Sequence, residues 1–292
     1  MDADDRGRVG IIGLGLVGRA LAQRLLQAGY PVCGYDLAES ACEHARQVGV
    51  EVLPDAASVA RNTRLLLFSL LTSDDRRAVC WGPQALAEAL QPGTIVLDTT
   101  TGRPEDIRED HERLAGQDVR LIDVCLSGSS QVISEGRALA LVGDRRGNAS
   151  YAGLLECFSK AQYYFDGPGQ GNRVKLIVNL VFGLNRLVLA EALGLASCAG
   201  FDLQVILEIL KAGETYSVAM DTKGSKMAAG VYEPAVARLG QHAKDVHLIL
   251  EYARQVGAAV PVSETHARLI DALVGDGWGD LDNAAIFKAY RA

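Results

Sequence analysis

Residues 11–18 read Ile-Ile-Gly-Leu-Gly-Leu-Val-Gly, a G-x-G-x-x-G set between a short apolar run, 9–12, and a stretch of helix formers, 19–28. The chain then turns at Gly29, and a second apolar run ends in Tyr35-Asp36. Strand, glycine turn, helix and acidic strand tip in this order form the βαβ context that makes a glycine pattern a dinucleotide site. In such a unit Gly13 permits the tight turn, Gly15 lets the backbone approach a pyrophosphate, and Gly18 lets helix and strand pack closely. The phosphates rest on the unpaired amides of the helix N-terminus. Gly13, Leu14, Gly15, Leu16, Val17 and Gly18 are therefore cofactor-binding candidates. Asp36 stands where a carboxylate can accept hydrogen bonds from ribose hydroxyls; its alternative role is to cap the next helix. An NADP site usually has an arginine near this point for the 2′-phosphate. Here position 37 is Leu and the nearest downstream arginine is Arg46. The expected cofactor is NAD, with NADP disfavoured.

A chain of 292 residues is long for one domain and comfortable for two. Its formal charge of −7 argues against general affinity for nucleic acid or an anionic membrane. Arg61, Arg64, Arg76 and Arg77 form a loose basic cluster, expected to be a solvated face. Six cysteines (33, 42, 80, 125, 157 and 198) show no C-x-x-C spacing and read as small buried hydrophobes in a reducing compartment. His242 and His247 would diverge on a helix, so no metal is expected. The acidic start, Met-Asp-Ala-Asp-Asp, resembles neither a secretory signal nor a transit peptide, and the expected address is the cytoplasm. The apolar stretch 176–199 carries Asn179, Asn185, Arg186 and Glu191, which a lipid-facing helix rarely tolerates. It reads as a long helix buried in protein.

Apolar runs at 8–12, 31–35, 64–69, 94–98, 119–123 and 138–142, with a possible last one at 161–165, alternate with helical stretches at 17–28, 39–48, 73–90, 103–116 and 147–159. Such alternation predicts a mostly parallel sheet covered on both faces, an α/β Rossmann-type domain over 1–166. After the breaker cluster Gly-Pro-Gly-Gln-Gly at 167–171 the stretches 172–199, 203–212, 236–256, 262–274 and 283–291 are all helix-like. An all-α domain is expected over 167–292.

Ligands of dinucleotide folds bind at the carboxyl ends of the strands. One such end is Asp98-Thr-Thr-Thr-Gly-Arg-Pro104, where Thr100 and Thr101 can either bond the cofactor or cap the helix near Pro104. Another is Asp123-Val-Cys-Leu-Ser-Gly-Ser-Ser130. It is either a plain turn or a hydroxyl-rich loop offering donors to a carboxylate. A serine nucleophile is not expected, because Cys125 fills the place where a nucleophile elbow needs glycine. Third, Gly169-Gln-Gly-Asn-Arg-Val-Lys175-Leu-Ile-Val-Asn179 runs into the long apolar helix. Lys175 and Asn179 share one helix face. Lys175 is either a snorkelling lysine or a general acid/base whose pKa burial can tune.

These segments, in this order, resemble the β-hydroxyacid dehydrogenase family, and the resemblance runs over essentially the whole chain. Gly13-Leu-Gly-Leu-Val-Gly18 is similar to the family's G-L-G-x-M-G, with Val17 in place of Met. Asp98-Thr-Thr-Thr101 with Pro104 is similar to D-x-S-T-x-x-P, and Asp123-Val-Cys-Leu-Ser-Gly-Ser129 to D-A-P-V-S-G-G, followed by Glu135-Gly136. Gly169, Gly171, Lys175 and Asn179 match the most diagnostic pattern, G-x-G-x-x-x-K-x-x-x-N, and Lys244-Asp245 a later K-D pair.

The resemblance implies hydride transfer between a nicotinamide cofactor and a short β-hydroxy acid or its semialdehyde. Lys175 would be the catalytic acid/base. Ser127, Gly128, Ser129 and Asn179 would hold the substrate carboxylate. Lys244 would reach the cofactor and substrate, with Leu70, Leu71 and Thr101 beside the cofactor; Leu71 stands where the family has proline. Cys125 and Ser129, in place of proline and glycine, imply a changed substrate. Alternatives are a non-catalytic dinucleotide-binding interaction protein, or an imine or other carbonyl reductase on the same fold. The apolar surface of the long helix predicts a homodimer or homotetramer.

Overall fold

The computed structural model describes residues 7–146 and 150–290. The chain divides into two compact units, the first ending at Lys175 and the second beginning at Leu176. This division lies inside the long helix, beyond the expected boundary at 166.

The first unit is built on an eight-stranded sheet of order β3-β2-β1-β4-β5-β6-β7-β8. Its strands are β1 (Val9–Ile12), β2 (Val32–Tyr35), β3 (Glu51–Val52), β4 (Leu65–Phe68), β5 (Ile95–Asp98), β6 (Arg120–Ser127), β7 (Ala138–Val142) and β8 (Ser159–Tyr164). All neighbours are parallel except β6 and β7, which are antiparallel. Order reverses at β1, whose Ile12 pairs with Tyr35 on one side and Phe68 on the other. That reversal is the switch point at which open α/β sheets bind ligands.

Alternation within each strand divides the core. Val9, Ile11, Leu67 and Leu97 pack against α1 (Leu16–Gln27), α2 (Glu39–Gln47) and the residues after β7. Ile12, Leu66, Phe68 and Val96 face α3 (Ala56–Asn62), α4 (Ser73–Trp81), α5 (Leu86–Ala89) and α6 (Pro104–Ala115). The expected helix over 73–90 is broken in two at Gly82-Pro83, since proline lacks the amide a continuing helix would need. Strand β6 runs on through Val124–Ser127, where a turn was expected, because those residues find a second ladder on β7. After α7 (Ser130–Ser134), the helix expected over 147–159 is reduced, among the described residues, to α8 (Ala152–Leu155).

The basic cluster expected to be solvated is not one surface. Arg76 is fully buried, bonding Asp98 at 2.8 Å and Asp110 through Nε at 3.0 Å and Nη2 at 2.6 Å. Burial opposes its charge, but the two carboxylates outweigh it and hold the guanidinium ionised. Arg77 pairs with Asp106, Glu109 and Asp110. These contacts join α4 and α6 to the tip of β5. Only four of the six cysteines are buried; Cys157 is partly exposed and Cys198 exposed.

The second unit is helical: the greater part of α9 (Gln170–Cys198), then α10 (Leu203–Ala212), α11 (Ser225–Ala229), α12 (Leu239–Val256) and α13 (Pro261–Leu273), with π-helical turns at Met220–Gly224 and Val274–Trp278 and a 3-10 helix at Asn283–Tyr290. Its core gathers Leu187, Leu193, Met227, Leu239, Ile270 and Phe287. Helix α9 has the length and apolarity of a membrane span, yet buries Arg186 and packs Leu187, Leu189 and Leu193 into this core. An apolar stripe of it lies exposed, the surplus apolar surface on which the expectation of a homodimer or homotetramer rests.

Arg76→Met leaves Asp98 and Asp110 buried without their cation. We expect a loss of about 3–5 kcal/mol in urea denaturation, because breaking a buried pair leaves an uncompensated charge; a loss below about 1 kcal/mol would show that the pair is not essential to this unit.

Candidate functional site

The motif glycines have different surroundings. Gly13 has φ +92°, and a Cβ there would collide with the Ser69 carbonyl; a Cβ on Gly18 would collide with the Gly13 carbonyl. Gly15, by contrast, faces open space, caps α1 without a side chain, and is followed by the exposed Leu16. Two glycines thus close the turn, and the third leaves an uncovered approach to the first amides of α1. Those amides carry the positive end of the helix dipole. A cradle of this kind fits a dinucleotide pyrophosphate.

Asp36 follows β2 and ties the loop down. Its Oδ2 accepts from the Leu14 amide at 2.7 Å and its Oδ1 from the Ala38 amide at 2.8 Å. The alternative that it caps the next helix fails, since Ala38 is the N-cap of α2. Leu37 is exposed, and Arg46 is paired with Glu39 at 2.6 Å.

The loops after β4 and β5 lie side by side. Leu70 packs on the core below and its amide donates to Thr100 Oγ1 at 3.3 Å; Leu71 is exposed. Thr99 Oγ1 donates to the Phe68 carbonyl, and the Thr100 amide to Asp98 Oδ1. Neither Thr100 nor the partly buried Thr101 caps α6: Arg103 is the N-cap, without a side-chain bond, and Pro104 takes the first helical position.

The next loop is fixed by a buried carboxylate. Asp123, on β6, is fully buried; its Oδ1 accepts from the Gly169 amide at 2.9 Å and its Oδ2 from the Asn172 amide at 2.8 Å. A side chain from a distant strand therefore caps α9. Burial pushes the Asp123 carboxyl up from its ordinary range, opposed by those two amides. Asn172 passes the connection on, its Oδ1 accepting from the Gly102 amide at 2.8 Å. The glycines of the G-x-G motif follow from this approach. A Cβ on Gly169 would lie 2.5 Å from the Pro104 carbonyl, and one on Gly171 would lie 2.9 Å from Asp123 Oδ2.

One turn further along α9, Lys175 is partly buried and its Nζ donates to the Leu126 carbonyl at 2.7 Å. Ser127, the last residue of β6, comes next. Gly128 has φ +150°, and Ser129 is exposed with its hydroxyl accepting from the Val132 amide as the N-cap of α7. Cys125 is buried, its thiol 3.7 Å from the Thr100 carbonyl. The glycine loop, Asp36, the loops after β4 and β5, residues 127–129 and Lys175 thus lie along the carboxyl edge of one sheet. In the helical unit, Asn179 Nδ2 donates to Asp245 Oδ2 at 3.0 Å, and Lys244 pairs with Asp245 Oδ1 at 2.9 Å. A 610 Å³ pocket opens among Arg8, Thr63, Arg64 and Ile95, at the opposite, amino edge of the sheet, far from these groups.

Sequence reasoning left Asn172 and Asp245 without a role and read Asp123 only as a motif letter. One signal was present for Asn172: asparagine is a poor helix former and favours helix starts.

Residues 8–166 match a family model described as the NAD binding domain of 6-phosphogluconate dehydrogenase, and residues 169–290 one described as NAD-binding of NADP-dependent 3-hydroxyisobutyrate dehydrogenase. The chain is 28% identical over 285 residues to L-threonate dehydrogenase of Escherichia coli strain K12, covering 97% of this chain and 94% of that protein. It is 26% identical over 284 residues to glyoxylate/succinic semialdehyde reductase 1 of Arabidopsis thaliana, covering 97% and 98%. A crystal structure of 3-hydroxyisobutyrate dehydrogenase from Salmonella typhimurium shares the fold, with TM-score 0.89, 24% identity and coverage of 97% and 99%. With both halves of the chain matched in order, the chain belongs to the β-hydroxyacid dehydrogenase family.

Proposed function

We propose that this chain is an NAD-dependent dehydrogenase of a short β-hydroxy acid and its semialdehyde, with 1–166 as the dinucleotide domain and 167–292 as the helical substrate and dimerisation domain. The observation that carries the reading is the Lys175 ammonium, tethered to the Leu126 carbonyl at 2.7 Å beside the 127–129 loop. A nicotinamide dinucleotide, when bound, supplies the hydride acceptor or donor. Gly13–Gly18 hold its pyrophosphate, Asp36 its ribose, and Leu70, Leu71, Thr101 and Lys244 line it. Ser127, Gly128, Ser129 and Asn179 orient the substrate carboxylate. In the oxidative direction the neutral amine of Lys175 takes the hydroxyl proton as the C–H bond gives up its hydride; in the reductive direction its ammonium returns that proton to the new alkoxide. The fold contributes alignment of the reacting groups.

Asp36, Leu37 and the Arg46–Glu39 pair support NAD, since a carboxylate repels a 2′-phosphate and the nearest guanidinium already has a partner. The names of the relatives, a threonate dehydrogenase and a glyoxylate/succinic semialdehyde reductase, support a small carboxylate substrate. The stripe on α9 supports a homodimer. Ile177, Val181, Val188 and Leu195 are each more than half exposed and, with the partly buried Leu184, fall at steps of four, three, four and seven, as in a coiled-coil seam.

The reading is tested by titrating NADH and NADPH and following turnover on a panel of small hydroxy acids and semialdehydes. Lys175→Ala should lower turnover by about 10²–10⁴-fold with NADH affinity unchanged; retained activity removes Lys175 from the mechanism. Dinucleotide binding with no turnover on any substrate would favour the non-catalytic alternative. Gly15→Val should keep the wild-type unfolding midpoint, because the added side chain meets open space, yet weaken NADH binding about tenfold or more. In sedimentation the wild type should run as a dimer or larger even assembly and Val188→Lys as a monomer; a monomeric wild type refutes the seam.

A further inference from the structure

The core of the helical unit holds polar groups that the dehydrogenase reading does not use. Arg186 of α9 is 2% exposed, lies 5.5 Å from the Phe182 ring, and has no hydrogen-bond partner for Nε among the described residues. Two carboxylates act on it from a distance, Asp282 and Asp245. Both already have partners. Asp282 receives Lys223 at 2.8 Å, Lys226 at 3.3 Å and the Val236 and Ala284 amides; Asp245 accepts from Asn179 through Oδ2 and pairs with Lys244 at 2.9 Å across Oδ1, which accepts no hydrogen bond among the described residues. Burial pushes the guanidinium down to about 10, with Asp282 and Asp245 opposing.

His242 of α12 and His266 of α13 share this region. Their rings are 5.0 Å apart, both are buried, and the Nε2 of each has no hydrogen-bond partner among the described residues. Burial, and then the Arg186 charge, pushes His242 well down and His266 down to about 4, so both rings are neutral at pH 7. The meeting point is Gly183, just ahead of Arg186 on α9. A Cβ there would lie 2.9 Å from His242 Cε1, 3.1 Å from its Nε2 and 3.3 Å from His266 Cε1. Helices α12 and α13 thus bring two imidazole edges together against α9 at Gly183, where any larger residue would intrude, three residues before Arg186, whose charge acts on both rings.

Buried donors without acceptors are costly, and an uncompensated buried charge more so. One acceptor shared by Arg186 Nε and the two Nε2 atoms would satisfy all three. A neutral imidazole in its Nε2–H form donates, as does the guanidinium Nε–H. The unbalanced positive charge disfavours a cation and favours an anion, and the close approach of the rings limits its size. We propose that Arg186, His242 and His266 form an internal binding site for one halide-sized monovalent anion, which is chloride in ordinary solution. The site is independent of the cofactor and substrate assignments.

Crystals of the full chain soaked in sodium bromide should show an anomalous peak among Arg186 Nε, His242 Nε2 and His266 Nε2. In solution, replacing gluconate by chloride at constant ionic strength should raise the wild-type unfolding midpoint by about 3–6 °C per tenfold chloride once the site is half filled. Arg186→Met should abolish that dependence, and His266→Leu, which keeps the guanidinium, should weaken it, so the inference survives the failure of either variant to fold. Absence of the bromide peak, a water in that position in the presence of bromide, or an unchanged chloride response in Arg186→Met would overturn it.

Discussion

The buried carboxylate of Asp123 is the constraint on which the rest of the candidate site depends. A 29-residue helix begins at Gln170, and its leading amides need acceptors where water does not reach. Asp123 supplies them, one carboxyl oxygen to each of two amides. Approach this close leaves no room for side chains. A Cβ on Gly143 would collide with Asp123 Oδ1, and Gly169 and Gly171 are held to glycine by the same crowding. Lys175 then falls one turn past Gly171, facing the strand that carries the carboxylate. The position of the lysine is therefore a consequence of where a helix can start.

Much of this arrangement is legible in the local pattern of residues. The glycine loop is legible because its pattern is local, although what Gly13 must avoid is the remote Ser69 carbonyl and Gly15 faces open space. Seven of the eight strands are legible as short apolar runs, the pattern of a mostly parallel sheet covered on both faces; the two-residue β3 (Glu51–Val52) carries no such run, and no strand is expected there. Where local pattern fails, the determining partner is remote. Arg76 resembles its surface neighbours Arg61 and Arg64, and only folding brings Asp98 and Asp110, distant in sequence, against it. The continuation of β6 past Asp123 depends on β7, which arrives from the opposite direction. The role of Asn172 likewise depends on an aspartate 49 residues earlier.

The helical unit is less legible for a different reason. Its helices are visible as apolar periodicity, but periodicity does not say which stripe a neighbour will cover. Helix α9 is apolar on nearly every side, so composition alone suggests burial throughout, whereas the fold covers Leu187, Leu189 and Leu193 and leaves Val181, Val188 and Leu195 outside. The π-helical turn at Met220–Gly224 follows a stretch, 213–219, with no clear periodicity, so no apolar pattern announces it.

The partner of Lys175 is a main-chain carbonyl, and that has a consequence for how such a protein can change. Any residue at position 126 presents the same oxygen, so the tether of the lysine is indifferent to the side chains around it. Beside it, Gly128 and Ser129 are exposed, and Ser129 is anchored only by capping a five-residue helix. On the proposed function, proton transfer and substrate choice would rest on separable parts of one short segment, the first on backbone and the second on side chains. On that reading, substitutions at 125 and 127–129 would redraw which acid is accepted while the Lys175 amine keeps its anchor, and a lineage could explore new substrates without first losing its chemistry.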